Sequence, residues 1–111
     1  MNDCRTTVME LRETFREFVQ ARGWGTAHSP KNLAMCIAIE AAELMEVFQW
    51  SSVEEASKVA ATPEFEHVRE ELADVLIYCL SMANQLDIDI SSAIEEKLAK
   101  NAKKYPPKRA N

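Results

Sequence analysis

The stretch SPKNLAMCIAIEAAELMEVFQW, residues 29–50, predicts a long helix with an unusual inner face. Ser29 and Pro30 are residue types preferred at the N-cap and at the first helical position. At roughly 100° per residue, a stripe about 120° wide collects residues that should face a core. That stripe contains two acids among apolar residues: Leu33, Cys36, Ile37, Glu40, Glu43, Leu44 and Val47. Glu46 lies off the stripe, and we expect it to be solvated.

A second segment repeats this pattern further along the chain. Thr62 and Pro63 again form a cap-then-proline start, and the periodicity continues to about Leu86. One face of this predicted helix carries a second acidic pair among core positions: Val68, Glu71, Asp74, Val75, Tyr78, Cys79 and Met82. Leu72 and Leu76 widen that face.

The remaining segments also favour helices, and no segment alternates with the period of a strand. We expect a first helix from about Asp3 to Arg22, a short helix to about Ala60 that starts with a capping box at Ser51 or Ser52, and a last helix from about Ile90 to Lys104. The predicted architecture is therefore an all-α, four-helix-bundle-like single domain, residues 1–111.

The two acidic pairs predict a metal site. Acids are rarely buried without a partner, and four carboxylates between two helices would repel one another. A bound cation removes this cost, and an all-oxygen set suits Mg²⁺ or Mn²⁺. The plain alternative is that these acids are surface charges at helical spacing. Two inward-facing pairs argue against it.

A di-iron centre is the alternative class of metal site, because such bundles use Glu-x-x-His pairs. Glu64 and His67 match that spacing once, and the sequence has no second copy. We therefore expect His67 to be a partly exposed polar residue near a helix start. The chain also has no recognisable nucleophile motif and, with two glycines, no Gly-rich phosphate loop.

Composition limits the other function classes. The net charge of −5 argues against binding a nucleic acid polymer, which requires a basic face. No apolar run reaches the ~20 residues of a membrane span, and the N-terminus lacks a signal pattern, so we expect a cytoplasmic protein. The three cysteines form no C-x-x-C motif, and Cys36 and Cys79 fall on apolar helix faces, where a free thiol acts as a small hydrophobe.

Basic and aromatic residues provide candidates for substrate binding. Lys97, Asn101 and Lys104 share one face of the last helix, and Lys31 lies near the start of the second. Three aromatic residues are candidates for stacking on a nucleobase: Trp24, Trp50 and Tyr78. Aromatic side chains in helical proteins are more often core residues. The G-W-G break around Trp24 and the helix-end position of Trp50 are less typical of a core.

Four strings in order resemble one family. W-x-x-x-H-x-P-K-N-L, IEAAELMEVFQW, EELADVLIY and KLAKNAKKYP begin at residues 24, 39, 70 and 97. Together they resemble the MazG-like all-α nucleoside triphosphate pyrophosphohydrolases, and especially their small dCTP pyrophosphatase branch. The resemblance implies Mg²⁺-dependent hydrolysis of a nucleoside triphosphate to a monophosphate and pyrophosphate, a house-cleaning activity on the nucleotide pool. It also implies a homotetramer, or dimer of dimers, with sites shared between subunits.

The resemblance also implies roles for individual residues. The metal would be held by Glu40, Glu43, Glu71 and Asp74, and the base by Trp24, Trp50 and Tyr78. His28, Lys97 and Asn101 match positions that contact the nucleotide. Phe15 is a departure, because close relatives often have a nucleotide-contacting His at this position. Two alternatives remain open, a non-catalytic helical oligomerisation module and a phosphoribosyl-ATP-type pyrophosphohydrolase.

Overall fold

The structure is a computed structural model that describes residues 1–25 and 28–108. Every regular element in these ranges is helical, which confirms the all-α prediction. The helices are α1 (Val8–Ala21), α2 (Pro30–Phe48), α3 (Val53–Ala56), a 3₁₀ turn (Val59–Ala61), α4 (Glu64–Leu86) and α5 (Ile90–Lys104). Among the described helices, none combines the length and apolar character that crossing a bilayer requires.

Side-chain caps fix the start of three helices. Ser29 accepts a hydrogen bond from the Asn32 N–H at 3.2 Å, as the sequence predicts for α2. The predicted capping box at Ser52 is confirmed, because Ser52 Oγ accepts from the Glu55 N–H at 3.1 Å. A second box, at Thr7 and Glu10, starts α1 at Val8, so the predicted start near Asp3 is wrong.

Two other predicted bounds also differ from the structure. The single short helix to Ala60 is instead α3 followed by the separate 3₁₀ turn. At the start of α4, Pro63 occupies the N-cap and Thr62 does not cap the helix. Thr62 Oγ1 instead donates to the Val59 carbonyl oxygen at 2.7 Å, which closes the preceding turn.

The packing centres on α4. Helix α2 makes the most extensive contact with α4, and α1 packs against α4 less extensively. Within the described chain, α5 packs extensively against none of the other helices. The inner faces predicted for α2 and α4 are confirmed, because their members are buried or half-buried, whereas Leu72 and Leu76 are exposed.

The single chain is extended and has a small core. Its radius of gyration is 17.1 Å, against about 13 Å for a compact domain of this length. Leu33 is the one large side chain that is fully buried among the described residues. Many large apolar residues are exposed on several helices, including Ile39, Leu76 and Leu98, the last at 62%. So many exposed apolar side chains are typical of a subunit that associates.

Candidate metal and nucleotide site

Three carboxylates from two helices meet where α2 packs on α4. Glu40 and Glu43 lie on the inner face of α2, and Glu71 lies on the inner face of α4. Each offers one oxygen atom, and these three atoms lie within 4.8 Å of one another. The spacing of three residues places both α2 acids on the side that faces Glu71.

The electrostatics of this cluster are unfavourable in the absence of a cation. Glu40 Oε2 and Glu71 Oε2 are buried, and neither has a hydrogen-bond partner among the described residues. The pKa of Glu40 is raised to about 7, first by burial and then by its contacts with Glu43 and Glu71 and the charges of Glu43 and Asp74. Two ionised carboxylates offer no hydrogen-bond donor. Their contact is favourable when one holds a proton or when a cation lies between them.

The chemistry of these donors fits a hard divalent cation. Three half-buried carboxylates supply oxygen atoms alone, the ligands that Mg²⁺ and Mn²⁺ prefer. The two orphaned oxygen atoms are the natural ligands for such an ion. Asp74 is outside the compact group of three, but its charge is felt at Glu40.

A cavity of about 460 Å³ opens between α1 and α4, with Asp74 in its wall. Aromatic rings dominate its lining. The rings of Phe15 and Phe18 stack with centroids 5.9 Å apart, and Trp24 meets Phe18 edge-on at 5.7 Å. His28 links the two helices, because its ring lies 6.3 Å from Phe15 and 6.4 Å from Tyr78.

Tyr78 connects the cavity to the acidic cluster. It lies one turn after Asp74 on α4 and lines the cavity. The pKa of its hydroxyl is raised, mainly by burial and then by the charges of Cys36, Glu40 and Asp74. Tyr78 therefore lines the cavity and lies close enough to the carboxylates for their charges to affect it.

The structure groups some of the predicted site residues and separates others. Trp24, His28 and Tyr78 line the cavity together. The other predicted substrate-binding residues lie outside its described lining: Lys31, Trp50, Lys97 and Asn101. Lys31 and Lys97 are exposed, Asn101 is half-buried, and Trp50 is 89% exposed.

Sequence reasoning missed three features of this region. Phe18 lines the cavity, and its spacing of three from Phe15 is the signal for their stacking. Arg12 of α1 is buried, at 4% exposure. His67 contacts Glu71, and the spacing of four residues along α4 was the available signal.

Comparison with known proteins places this geometry in context. A sequence model of the MazG-like family matches residues 35–111. The dCTP pyrophosphatase 1 of Mus musculus is 37% identical over 101 residues, which are 90% of this chain and 59% of that protein. The dCTP pyrophosphatase 1 of Homo sapiens is 35% identical over 101 residues, again 90% of this chain and 59% of that protein. The chain thus spans 59% of the length of these curated relatives.

A solved structure shares the fold over nearly the whole chain. It is the crystal structure of a pyrophosphatase from Archaeoglobus fulgidus DSM 4304, with a TM-score of 0.84 and 42% sequence identity. The match covers 96% of this chain and 99% of that one.

Proposed function

The chain belongs to the MazG-like family, and from this membership we propose that it is a Mg²⁺-dependent nucleoside triphosphate pyrophosphatase. The reaction hydrolyses a nucleoside triphosphate between its α and β phosphates and yields a monophosphate and pyrophosphate. The observation that carries this proposal is the carboxylate cluster beside an aromatic cavity. We propose that residues 1–111 form one domain of this kind.

The proposed ligands of the metal are Glu40, Glu43, Glu71 and Asp74. Mn²⁺ is a possible substitute for Mg²⁺, because both ions take oxygen ligands. A bound divalent ion supplies charge neutralisation of phosphate oxygens and lowers the pKa of water. Phosphoryl transfer requires positioning and neutralisation more than a covalent catalyst, which agrees with the absence of a nucleophile motif from the sequence.

The carboxylates also serve as proton acceptors in this proposal. Water adds to a phosphorus atom as the bridging P–O bond breaks, and the proton of that water passes to Glu43 or Glu40. Glu40 is one candidate proton acceptor, on the inner face of α2. Glu43 lies beside it on the same face of α2.

The cavity is the proposed site of the nucleobase, and dCTP is the proposed substrate. Trp24 and Tyr78 offer faces for stacking, and His28 offers ring nitrogens for hydrogen bonds. The dCTP preference rests on the relatives named above. Phe15 contributes ring surface to the cavity but no hydrogen bond, since it has no polar atom.

The remaining residues proposed to bind the nucleotide require a second copy of the chain. Trp50, Lys31, Lys97 and Asn101 lie away from the cavity of their own chain, and α5 packs little within it. In the proposed dimer of dimers, they complete the site of a neighbouring subunit. Lys97 would then offset the charge of the departing pyrophosphate.

Product analysis tests this proposal. With Mg²⁺ present, we expect the protein to convert dCTP to dCMP and pyrophosphate, which ³¹P NMR detects. We expect slower turnover of the other common dNTPs and NTPs. Release of orthophosphate alone would contradict it. Phosphoribosyl-ATP belongs in the same screen. No turnover of any of these, and no stabilisation by Mg²⁺, would instead favour a non-catalytic helical module, for which the exposed apolar faces are the supporting observation.

A further inference from the structure

Glu71 has different surroundings at its two carboxylate oxygens. His67 lies one turn earlier on α4, and its Nε2 is 3.2 Å from Glu71 Oε1. The other oxygen, Oε2, is buried and has no hydrogen-bond partner among the described residues. One oxygen is therefore held by a neighbour, while the second remains free for the carboxylate cluster.

The position of His67 makes it a partner of Glu71 and not a member of the cluster. Among the described residues, the oxygen atoms that lie within 4.8 Å of one another belong to Glu40, Glu43 and Glu71. His67 is not a member of this group. Its side chain is 53% exposed, whereas that of Glu71 is 12% exposed. His67 is thus the more exposed partner of Glu71 and contacts it through Oε1, the oxygen atom that is not orphaned.

We propose that His67 is a positioning residue that fixes the Glu71 carboxylate and directs Oε2 towards the metal. This inference rests on the proposed function, because it assumes that the cluster binds a divalent cation. The terminal torsion of a glutamate is broad, so an unheld carboxylate samples many orientations. A partner on the outer oxygen restricts that torsion, and such outer partners commonly support metal affinity.

The test measures Mn²⁺ affinity by electron paramagnetic resonance of the free ion, a readout that needs no turnover. We expect His67→Ala to weaken Mn²⁺ binding about 10-fold, the lower end for the loss of an outer partner. His67→Gln retains an N–H group at similar reach, so we expect it to recover most of the affinity. Thermal melting of the metal-free protein should change little, because His67 is half exposed.

The matched control is Arg69→Gln. Arg69 donates to Glu66 at 2.8 Å on the exposed side of the same helix turn, and neither residue is in the carboxylate cluster. We expect this variant to bind Mn²⁺ as the wild type does. Equal affinity of His67→Ala and Arg69→Gln would overturn the role of His67 and leave the proposed function standing. Failure of the wild type to bind Mn²⁺ would overturn both.

Discussion

Glu40, Glu43 and Glu71 occupy positions that the helical period assigns to apolar side chains. Their placement costs hydration, and no arginine or lysine among the described residues forms an ion pair with them. The orphaned oxygens of Glu40 and Glu71 and the raised pKa of Glu40 both follow from the burial of these carboxylates, and the neighbouring acids raise that pKa in the same direction. A divalent cation relieves both.

Substitution of a carboxylate of the cluster should therefore weaken metal binding. We expect Glu71→Gln and Glu43→Gln each to weaken Mn²⁺ binding about 100-fold or more, beyond the loss seen for outer partners. Calorimetric titration measures this directly. The controls are Glu70→Gln and Glu46→Gln, which neutralise exposed acids next to the cluster in sequence. Equal affinity in ligand and control variants would contradict the assignment.

The pKa of Glu40 gives the metal-free protein a characteristic pH dependence. Its folded-state pKa of about 7 exceeds the ordinary 4.5, so between these values the folded state binds more protons than the unfolded state. Stability from this group is therefore greatest below pH 4.5 and is lost as the pH rises to about 7. In the presence of a chelator, the melting temperature should fall more between pH 5 and pH 8 for the wild type than for Glu40→Gln. The same fall in both proteins would argue against the shift.

Metal affinity should have the opposite dependence on pH. Because a carboxylate binds a cation in its ionised form, we expect Mg²⁺ affinity to rise as the pH approaches 7 and then to level off. Calorimetric titrations at pH 6 and pH 8 would measure this rise. Equal affinities at the two values would contradict it.

At the scale of the elements, α1 is joined to α4 by a buried polar network. Arg12 Nε donates to Asn84 Oδ1 at 2.9 Å, and its terminal nitrogen donates to the Ala83 carbonyl oxygen at 3.2 Å. Asn84 Nδ2 in turn donates to the Arg12 carbonyl oxygen at 3.2 Å. Because α1 carries Phe15 and Phe18, this network also positions one wall of the cavity.

Removal of the Asn84 side chain should destabilise the fold. Asn84→Ala leaves the buried Arg12 guanidinium short of an acceptor, and we expect the free energy of unfolding to fall by about 2 kcal/mol. Urea denaturation followed by circular dichroism measures this change. Ser92→Ala is the control, because it removes an exposed 2.8 Å bond to Asp89 and should be nearly neutral. Similar losses in both variants would contradict a specific role of the network.

The sequence predicts these elements well where the signal is local. Periodicity identifies the long helices, and caps such as Ser29 identify where they begin. The start of α1 predicted near Asp3 is wrong, because the capping box at Thr7 and Glu10 begins the helix at Val8. The burial of Arg12 and the contact of His67 with Glu71 were not predicted, because each depends on side-chain direction and on which helix packs alongside.

At the scale of the whole molecule, the single chain leaves apolar helix faces exposed. Ile39, Leu76 and Leu98 lie on three different helices, and no described element covers them. A domain of this length rarely exposes so much apolar surface unless a partner covers it. The proposed assembly covers these faces and brings Trp50 and α5 to a neighbouring site.

Association should be measurable and should depend on these faces. We expect sedimentation velocity to give a particle mass of more than one chain, each chain having a mass of 12.6 kDa. Leu98→Lys should shift the distribution to smaller species, because it places a charge on the apolar face of α5. Ala99→Lys adds the same charge at the next exposed position, away from that face, and should have little effect. A wild type that sediments as a 12.6 kDa monomer would contradict the assembly.

The most direct measurement is a crystal structure grown with Mn²⁺, with data collected at the manganese absorption edge. The carboxylate cluster predicts an anomalous peak between Glu40, Glu43 and Glu71, with Glu71 Oε2 among the ligands. A saturated crystal without a peak at that position, or with manganese bound elsewhere alone, would contradict the assignment of a metal site.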